Sequence, residues 1–380
     1  MARVVTDLVG AQVDLGMRVV LACPPRTPLA LAAAALGADV RPWPAGREPG
    51  PGLVAESRRI AGLVDLVRPD LVHAHSAKAG LAARLAVRGR VPTVYQPHAW
   101  SFEAVDGVTG ALARRWERWA ARWTDRVVCV SEAERRRGEQ AGVRAAWSVV
   151  HNGVDARRFA TAPDRAAARA ALALPASDPL VVCVGRLCRQ KGQDTLLTAW
   201  PAVLDRVPHA RLVLVGDGPA ADALRAAAGR PAPSPRHPAP PGGAGPAAVG
   251  FAGAVTDPAL WYRAADLVVQ PSRWEGMALA PLEAMAAGRP VVVTDVDGAR
   301  ESLPPGHETH CLVRPDDPAA LGAALAGLLR RPVLREALGR QAQRHVLGSF
   351  DVRRSGAAIA DVYHELTAAP RPELTEPIPQ

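Results

Sequence analysis

Two glutamates at a fixed spacing give the strongest chemical signal in the sequence. Glu275 and Glu283 bound the segment EGMALAPLE (275–283), with Glu275 in a loop after an apolar run and Glu283 in the first turns of a predicted helix. A helix start presents free backbone N–H groups and a partial positive charge, which suit a phosphate or a sugar hydroxyl. Carboxylates there can accept hydrogen bonds from neighbouring hydroxyls. An ordinary helix start that carries acidic residues fits the same spacing, so both interpretations stand.

A second signal is a pair of cations in GRLCRQKG (185–192), directly after the apolar run 180–184. On one strand-end loop, Arg186 and Lys191 could neutralise a diphosphate, each charged hydrogen bond contributing about 1.5–3 kcal/mol. The alternative is a solvated basic loop. Of the 46 lysines and arginines, only Lys78 and Lys191 are lysines. Because the composition favours arginine so strongly, we interpret Lys191 as functional, whereas Lys78 is predicted to be a surface helix residue.

Two further polar segments follow predicted strands in the first half of the chain. His98, in VYQPHAW (94–100), could donate a hydrogen bond to a sugar hydroxyl or a carbonyl, although a structural role is the favoured interpretation of a lone loop histidine. The Asn-Gly pair in HNGVD (151–155) predicts a tight turn, which we interpret as a hinge between domains.

The elements that would position these side chains are short apolar runs that alternate with longer amphipathic segments. This pattern is typical of βα units with parallel sheets. Two such series predict an α/β fold of two doubly wound, Rossmann-like domains that face each other across a cleft, with ligands beyond the carboxyl ends of the strands. The predicted strands span 17–23, 70–75, 92–96, 126–131, 147–152, 180–185, 211–216, 248–253, 266–272 and 290–295. The predicted helices lie near 2–15, 53–67, 76–88, 108–123, 132–141, 191–206, 256–264 and 280–287.

Composition narrows the class of protein. Among 380 residues, 48% are hydrophobic and 22% are charged, which is typical of a folded globular chain. No apolar run is long enough to predict a transmembrane helix, and we expect no secretory signal. Five scattered cysteines have the spacing of neither a disulfide framework nor a zinc site, so a cytoplasmic protein is expected. The net charge of +9 suits anionic partners, but it reflects the arginine-rich composition in part, and nucleic-acid binding is not predicted.

Taken together, four segments resemble the motifs of the family 4 glycosyltransferases in order and spacing. They are GRLCRQKG, LVLVGDGP (212–219), the Glu-x7-Glu segment and HNGVDARRF (151–159), and the resemblance covers nearly the whole chain. It implies a GT-B fold and the retaining transfer of a sugar from a UDP- or GDP-linked donor to a hydroxyl acceptor, in polysaccharide, glycolipid or small-glycoside biosynthesis. It implies no metal and no cofactor. The family mechanism would be a same-face substitution in which the leaving phosphate takes the acceptor proton.

The same resemblance assigns roles to residues. Arg186 and Lys191 would bind the donor diphosphate, and Glu275 would bind hydroxyls of the donor sugar. Glu283 would hold the nucleotide ribose, and His98 would contact the sugar from the N-terminal domain. The implied catalytic residues are Arg186, Lys191, His98 and Glu275, and the implied donor-binding residues are Gly185, Gly276, Met277, Ala278, Leu279 and Glu283.

We predict an acceptor-side domain at 1–160, a donor-binding domain at 161–347, a helix at 348–368 that crosses back to the first domain, and a tail at 369–380. The Pro- and Gly-rich segment 229–247 predicts a mobile surface loop. The chain opens on a helix rather than a strand, so we expect the first strand and a Gly-rich loop to lie upstream of Met1.

Three other patterns carry alternatives. Asp295-x-Asp297 has the pattern of a metal-holding D-x-D motif, but it follows a late strand in a segment that resembles a loop of this family, so metal binding is not favoured. His73-x-His75 lacks a third ligand at metal-site spacing, and a polar strand end is favoured for these histidines. Helix 111–123 places Leu112 and three tryptophans on one face with arginines beside them. Packing of this face on the sheet is favoured over docking on anionic lipid.

Two rival functions are a nucleotide-sugar 2-epimerase on the same fold and a non-catalytic nucleotide- or polyanion-binding protein. Product analysis without an acceptor separates the epimerase from the transferase.

Overall fold

The computed structural model describes residues 1–46, 50–155, 158–159, 163–229 and 248–368. The chain divides into two compact units. The first contains Met1–Cys129, Arg135–Val150 and the chain from Arg354 onward, and the second contains Val130–Glu134 and His151–Arg353. The predicted loop 229–247, beyond its first residue, and the predicted tail 369–380 lie outside the described residues.

The described strands of the first unit form two parallel sheets. β1 (Val20–Cys23) pairs with β2 (Asp39–Pro42). The second sheet has the order β3-β4-β5-β6 and contains β3 (Val72–His75), β4 (Thr93–Gln96), β5 (Arg126–Cys129) and β6 (Trp147–Val149). The helices are α1 (Ala2–Asp14), α2 (Pro28–Ala35), α3 (Leu53–Val67), α4 (Ala77–Val87), α5 (Gly107–Ala120), α6 (Glu132–Gln140) and, near the C-terminus, α16 (Val352–Ala368), with 3-10 turns at Ser101–Glu103 and Ala121–Trp123.

The core of the first unit lies around β4, which is buried at every position because it runs between β3 and β5. Val94 of β4 shares an apolar cluster with Leu8 of α1 and Ile359 of α16. Gln12 of α1 donates its side-chain N–H to the Tyr363 hydroxyl of α16 at 2.9 Å. The C-terminal helix is therefore built into the first unit by both apolar and polar contacts.

The favoured interpretation of the tryptophan-bearing helix is wrong. In α5 the buried positions are Gly110, Glu117 and Ala120, whereas Leu112 is 61% exposed and Trp119 is 40% exposed. Glu117 turns inward because it forms an ion pair with the equally buried Arg84 of α4 at 2.8 Å. A paired charge therefore occupies the inner face that the hydrophobic pattern assigned to the tryptophans.

Lys78 is also not a surface residue. Its ammonium forms an ion pair with Glu56 of α3 at 2.6 Å, and its side chain is 9% exposed. The pair joins two neighbouring helices, α3 and α4, at a buried position.

The second unit is built on a six-stranded parallel sheet of order β12-β11-β10-β7-β8-β9 among the described residues. Its strands are β7 (Leu180–Val184), β8 (Arg211–Val215), β9 (Val249–Gly253), β10 (Leu267–Gln270), β11 (Val291–Thr294) and β12 (Leu312–Val313). Its helices are α7 (Arg165–Ala171), α8 (Gln193–Leu204), α9 (Ala221–Ala227), α10 (Ala259–Ala264), α11 (Leu279–Ala286), α12 (Ala299–Ser302), α13 (Glu308–Cys311), α14 (Pro318–Leu329) and α15 (Pro332–Ser349), with a 3-10 turn at Arg189–Lys191.

This sheet forms the larger apolar core. The central strands β7 and β10 read LVVCV and LVVQ and are almost wholly buried, as expected for parallel strands covered on both faces. Helices such as α8, α11 and α14 bury Leu196, Leu282 and Leu325 in the same cluster. The α/β fold with parallel sheets is thus confirmed, and the polar segments identified above follow the carboxyl ends of its strands.

Some elements were not predicted. β2 reads DVRP and α2 reads PLALAAAA, so neither shows the alternation or the helical period on which the prediction depended. Among the described helices, none is long and apolar enough to span a bilayer. The strand expected upstream of α1 stays a prediction.

Candidate functional site

The candidate site of the second unit lies where two neighbouring strands end. β7 and β10 pair in parallel, with Val182 opposite Val268, so the loops that follow them meet at one edge of the sheet. Arg273 N–H donates to the Gln190 carbonyl at 2.8 Å, which joins the two loops directly. The fold thereby brings GRLCRQKG next to the loop that carries Glu275.

Lys191 and Glu275 form an ion pair between Nζ and Oε1. Ser272 Oγ donates to the same carboxylate oxygen at 2.7 Å, and Gln190 Nε2 lies 3.5 Å from the other oxygen. Both charged side chains are four-fifths or more buried, so water screens their attraction only partly. The lysine stem lies over Gly185, where an added Cβ would be 3.7 Å from Lys191 Cδ.

Arg186 differs from Lys191 because its guanidinium has no ion pair among the described residues. Its backbone is nevertheless fixed, since Gln193 Nε2 donates to the Arg186 carbonyl at 3.0 Å. Gly218 makes room for the side chain, because a Cβ there would lie 2.9 Å from Arg186 Cγ. The half-buried guanidinium is therefore a positioned cation that has not been neutralised by a neighbour.

The start of α11 is held in a fixed orientation by side chains. Ser131 Oγ donates to the Gly276 carbonyl at 2.9 Å, and Asn152 Nδ2 donates to the Met277 carbonyl at 2.8 Å. The helix has no side-chain N-cap, and the N–H groups of Met277 and Ala278 have no acceptor among the described residues. These amides, with Leu279 as the first helical residue, form an anion- or hydroxyl-binding edge.

Gly298 supports this segment through a close approach of two backbones. Its φ is +73°, and an added Cβ would lie 2.3 Å from the Gly276 carbonyl oxygen and 2.8 Å from Met277 Cα. Only glycine combines this left-handed conformation with that contact. The position of the free amides therefore depends on a residue some twenty positions away in sequence.

Glu283 lies within α11, and its carboxylate is already engaged on both oxygens. Tyr262 donates its hydroxyl to Oε2 at 2.8 Å, and the Arg158 guanidinium is 3.7 Å from Oε1. Tyr262 is fully buried, and burial, together with the adjacent carboxylate, raises the pKa of its hydroxyl well above the ordinary value. The tyrosine therefore stays a hydrogen-bond donor and holds the Glu283 carboxylate in place.

His98 belongs to the first unit and is not isolated there. Its Nε2 is 3.1 Å from Nδ1 of His75, and the His75 ring contacts that of His73 at a tilt of 32°, with centroids 3.9 Å apart. His73 Nδ1 in turn lies 2.6 Å from the Tyr363 hydroxyl. Burial, with His75 and the N-terminal amine as further causes, lowers the pKa of His98 well below its ordinary value. His98 and the adjacent Ala99 have φ values of +54° and +89°, so the loop is strained at this point.

Sequence reasoning missed the residues that hold the site together. Ser272 and Gln190 support Glu275, Tyr262 holds Glu283, and Ser131 fixes the loop before α11. Ser272 and Gln190 lie in segments that were already of interest, but Ser131 and Tyr262 are distant in sequence and carried no motif. Asn152 was interpreted as part of a hinge, whereas its side chain bonds to the candidate site.

Asp295 of the D-x-D pattern forms an ion pair with Arg300. Within the described ranges, no group of three or more His, Cys, Asp or Glu residues is arranged to hold a metal ion.

Comparison with known proteins shows which family this chain belongs to. The family model described as "Glycosyltransferase Family 4" matches residues 1–158, and the model "Glycosyl transferases group 1" matches residues 178–331. The chain is 34% identical over 273 residues to the lipopolysaccharide core biosynthesis mannosyltransferase LpsB of Rhizobium meliloti, covering 68% of this chain and 71% of that protein. It is 33% identical over 314 residues to the D-inositol 3-phosphate glycosyltransferase of Streptomyces avermitilis, covering 77% and 65%.

Solved structures show the same fold. Anabaena HepE, crystallised with UDP and glucose, superposes with a TM-score of 0.79 at 24% identity and 95% coverage of both chains. Sucrose-phosphate synthase from Thermosynechococcus elongatus gives a TM-score of 0.74 at 23% identity, covering 95% of this chain and 92% of that one. With the two family models and these relatives, the chain belongs to the family 4 glycosyltransferases and has their GT-B fold.

Proposed function

We propose that this glycosyltransferase moves a sugar from a nucleoside-diphosphate donor, UDP- or GDP-linked, to a hydroxyl acceptor with retention of anomeric configuration and without a metal. The observation that carries the proposal is the position of Arg186 on the same strand-end loop as Lys191, at the sheet edge where α11 begins. Within the described part of the chain, the Arg186 guanidinium has no ion pair and the first amides of α11 have no acceptor. Two cations and the N–H groups of a helix start, brought to one place, can bind the negative oxygens of a diphosphate. HepE, which shares the fold, was crystallised with UDP, which supports the nucleotide part of the proposal.

The proposed chemistry is electrostatic. As the bond between the anomeric carbon and the phosphate oxygen breaks, negative charge grows on the leaving diphosphate. Arg186 and Lys191 would stabilise that charge from fixed positions, and one such donor is worth roughly 10²–10³ in rate. The acceptor oxygen would attack the anomeric carbon from the face that the diphosphate leaves, and the acceptor proton would pass to the leaving phosphate oxygen.

The carboxylates would act in binding. Glu275, held by Ser272, would accept hydrogen bonds from donor sugar hydroxyls, and the Met277–Leu279 amides would line the same pocket. Glu283, held by Tyr262, would accept hydrogen bonds from the ribose diol. His98 is the first unit's candidate for contact with the sugar. Its low pKa leaves a neutral imidazole that can donate from one nitrogen.

The sugar is proposed to be a hexose and the acceptor a saccharide, lipid-linked glycan or small polyol. The names of two relatives support this range, since one is a mannosyltransferase of lipopolysaccharide core biosynthesis and the other a D-inositol 3-phosphate glycosyltransferase. We infer a cytoplasmic location, in line with five cysteines that are all free and buried.

A donor panel tests the proposal. The purified chain is incubated with UDP- and GDP-linked glucose, mannose, galactose and N-acetylglucosamine, with and without acceptors, in the presence of EDTA. We expect acceptor-dependent release of one nucleoside diphosphate and an NMR coupling constant that shows the donor's anomeric configuration. A changed sugar without an acceptor would instead identify an epimerase. Nucleotide binding in calorimetry without turnover on any acceptor would identify a non-catalytic binder.

The exposed face of α5 is proposed to contact anionic membranes. Val108, Leu112 and Trp119 are all exposed, and Arg122 stacks on Trp119 with its guanidinium carbon 4.6 Å from the ring centroid. Arg115 and Arg118 are exposed on the same helix. An apolar strip bordered by arginines suits a surface of anionic lipid.

Vesicle sedimentation tests this contact. We expect the chain to bind vesicles that contain phosphatidylglycerol and not pure phosphatidylcholine vesicles. Leu112→Ser combined with Trp119→Ser should abolish binding. Val333→Ser removes an even more exposed apolar side chain from α15 and should bind as the parent does. Binding of the double variant at parental strength would rule the face out.

A further inference from the structure

A second polar cavity lies in the second unit, at the edge of the sheet opposite the candidate donor site. Asp266 immediately precedes β10, and Arg289 lies two residues before β11, so both mark the amino ends of strands. The Arg186–Lys191 loop and the start of α11 follow carboxyl ends. The cavity has a volume of about 290 Å³. It is lined by Arg165, Arg263, Asp266, Ala287, Gly288, Arg289, Pro290, Arg335, Glu336, Arg340 and Gln343.

The charges around this cavity do not balance. Five arginines and two carboxylates line it, which leaves a formal net charge of +3. Asp266 is already shared, because Arg165 and Arg169 lie 2.8 and 2.7 Å from its two oxygens. The Leu180 N–H also donates to Asp266 Oδ2 at 2.8 Å. Arg335 also lies 3.5 Å from Asp266, and Glu336 pairs with Arg340 at 3.8 Å, so the two carboxylates cannot neutralise all five guanidinium groups.

Some N–H donors of these arginines also lack a hydrogen-bond acceptor among the described residues. The Nε atoms of Arg165, Arg263 and Arg289 are buried and have no hydrogen-bond partner among the described residues. Arg289 makes no side-chain ion pair within the described ranges. Arg165 pairs with Asp266 and Arg263 donates to the Phe159 carbonyl through their other nitrogens. A buried N–H group without an acceptor is costly, so three such Nε–H groups at one cavity indicate an absent acceptor.

Arg289 keeps its charge in this environment. Burial, followed by repulsion from Arg263, lowers the pKa of Arg289 to about 10. At neutral pH it is therefore still protonated, and Asp266, which raises this pKa, offsets the repulsion only in part. A bound anion would offset the rest.

We propose that this cavity is a second anion site that binds a compact phosphate, either inorganic phosphate or the phosphate group of a small phosphomonoester. The planar guanidinium fork matches phosphate oxygens in pairs, and each orphaned Nε–H would gain an acceptor. The volume leaves room beside the phosphate for a small organic group. The site would be independent of donor binding because it lies at the other edge of the sheet.

Calorimetric titration of the full chain tests the proposal, with inorganic phosphate and glucose 6-phosphate as probes and chloride holding the ionic strength constant. We expect both the parent and Arg344→Gln to bind, since Arg344 is exposed on α15 and does not line the cavity. Arg289→Gln should weaken binding at least tenfold. Arg289→Lys should weaken it less, because it keeps the charge but loses the fork. Saturating UDP should leave phosphate binding unchanged.

Thermal unfolding provides a second measurement. Phosphate should raise the melting temperature of the parent and of Arg344→Gln but not of Arg289→Gln. Without phosphate, Arg289→Gln should melt at or above the parental temperature, because it removes an unpaired charge from the cluster.

Equal phosphate affinity of Arg289→Gln and the parent would overturn the proposal, as would full competition by UDP or no binding of either probe at tens of millimolar. Tighter binding of glucose 6-phosphate than of phosphate would support a phosphomonoester, and equal binding would support phosphate itself.

Discussion

At the scale of single residues, the two cations of the candidate donor site differ in their partners within the described residues. Lys191 is paired with Glu275, whereas Arg186 has no counter-charge within the described ranges. The pairing fixes the ammonium while leaving two of its three N–H donors for a ligand. Arg186 supplies the net positive charge that a diphosphate needs. The two residues are therefore expected to contribute differently to binding and to turnover.

Lys191→Met should lower kcat by roughly 10²–10³, because it removes a fixed donor to charge that develops on the leaving group. Folding should be retained, since Ser272 continues to donate to Glu275. Steady-state kinetics and far-ultraviolet circular dichroism check the two parts. Arg189→Met removes an exposed cation from the same loop and should change kcat by less than about threefold. Near-parental turnover of Lys191→Met would remove this lysine from the mechanism.

Tyr262→Phe should raise the donor KM several-fold with kcat nearly unchanged. The tyrosine hydroxyl is 2.8 Å from Glu283 Oε2, and its loss frees a carboxylate proposed to bind the ribose. Losing an interaction that binds the ground state and the transition state equally well raises KM and leaves kcat unchanged. Tyr95→Phe serves as the control, since that buried hydroxyl lies in the first unit, 3.4 Å from Glu117 Oε1. A fall in kcat with an unchanged KM would show that Glu283 does not act through ribose binding.

At the scale of elements, the candidate donor site depends on loops that are held in place by close backbone packing. The free amides at the start of α11 stay in place because Ser131 and Asn152 hold the preceding carbonyls and because Gly298 allows the backbones to touch. Changing Gly298 therefore tests the element rather than any ligand-binding side chain.

Gly298→Ala should displace the Gly276–Met277 segment and weaken donor binding at least tenfold, because the new methyl would lie 2.3 Å from the Gly276 oxygen. Gly306→Ala is a matched control, since Gly306 also has a positive φ, +84°, but open space around its Cβ position. Both variants should lose about 1–2 kcal/mol from the left-handed conformation. Only Gly298→Ala should lose donor affinity, as measured by calorimetry with UDP and GDP. Equal affinity of the two variants would contradict this account.

The sequence allowed the strands of the second unit to be predicted closely, because runs such as LVVCV and PVVVT are apolar on both faces. It did not reveal β2, which contains Asp, Arg and Pro, or α2, which is apolar all round its axis. Thr27 before Pro28 could have identified α2, since Thr27 caps the helix and proline favours its first turn.

The partners of buried polar side chains could not be predicted from the sequence, for a different reason. The prediction for α5 failed because Arg84 pairs with Glu117 across 33 positions, and a hydrophobic pattern assigns such a glutamate to the solvent. The same limit applied to Lys78 with Glu56 and to Tyr262 with Glu283. Local patterns predict elements and loop positions, whereas these pairs arise only when distant segments meet.

At the scale of the whole molecule, the candidate functional side chains are divided between the two units. The second unit carries the positioned cations and amides at one sheet edge and the arginine-lined cavity at the other. The first unit carries His98 within a contiguous chain of side chains that runs through His75 and His73 to Tyr363. This chain spans β3, the loop after β4 and the C-terminal helix α16, so it joins parts of the first unit that are far apart in sequence.

The histidine chain predicts how the stability of the first unit depends on pH. Burial lowers the pKa of all three histidines, that of His75 to about 4, with the N-terminal amine as a further cause for His75 and His98. In the unfolded chain a histidine has a pKa of about 6.5. Between these values the unfolded state binds more protons, so the free energy of unfolding is highest above pH 6.5 and falls as the pH falls toward 4.

Each histidine should contribute a slope of at most about 1.4 kcal/mol per pH unit in this window. Hydrogen exchange of the β3 and β4 amides between pH 4.5 and 7, corrected for intrinsic rates, measures the change within the first unit. His75→Asn should flatten the slope, whereas His364→Asn, which changes an exposed histidine of α16, should leave it as in the parent. A parental slope in His75→Asn would mean that His75 is charged in the folded chain. In that case the hydrogen bond from His75 could not keep the His98 imidazole neutral for its proposed contact with the sugar.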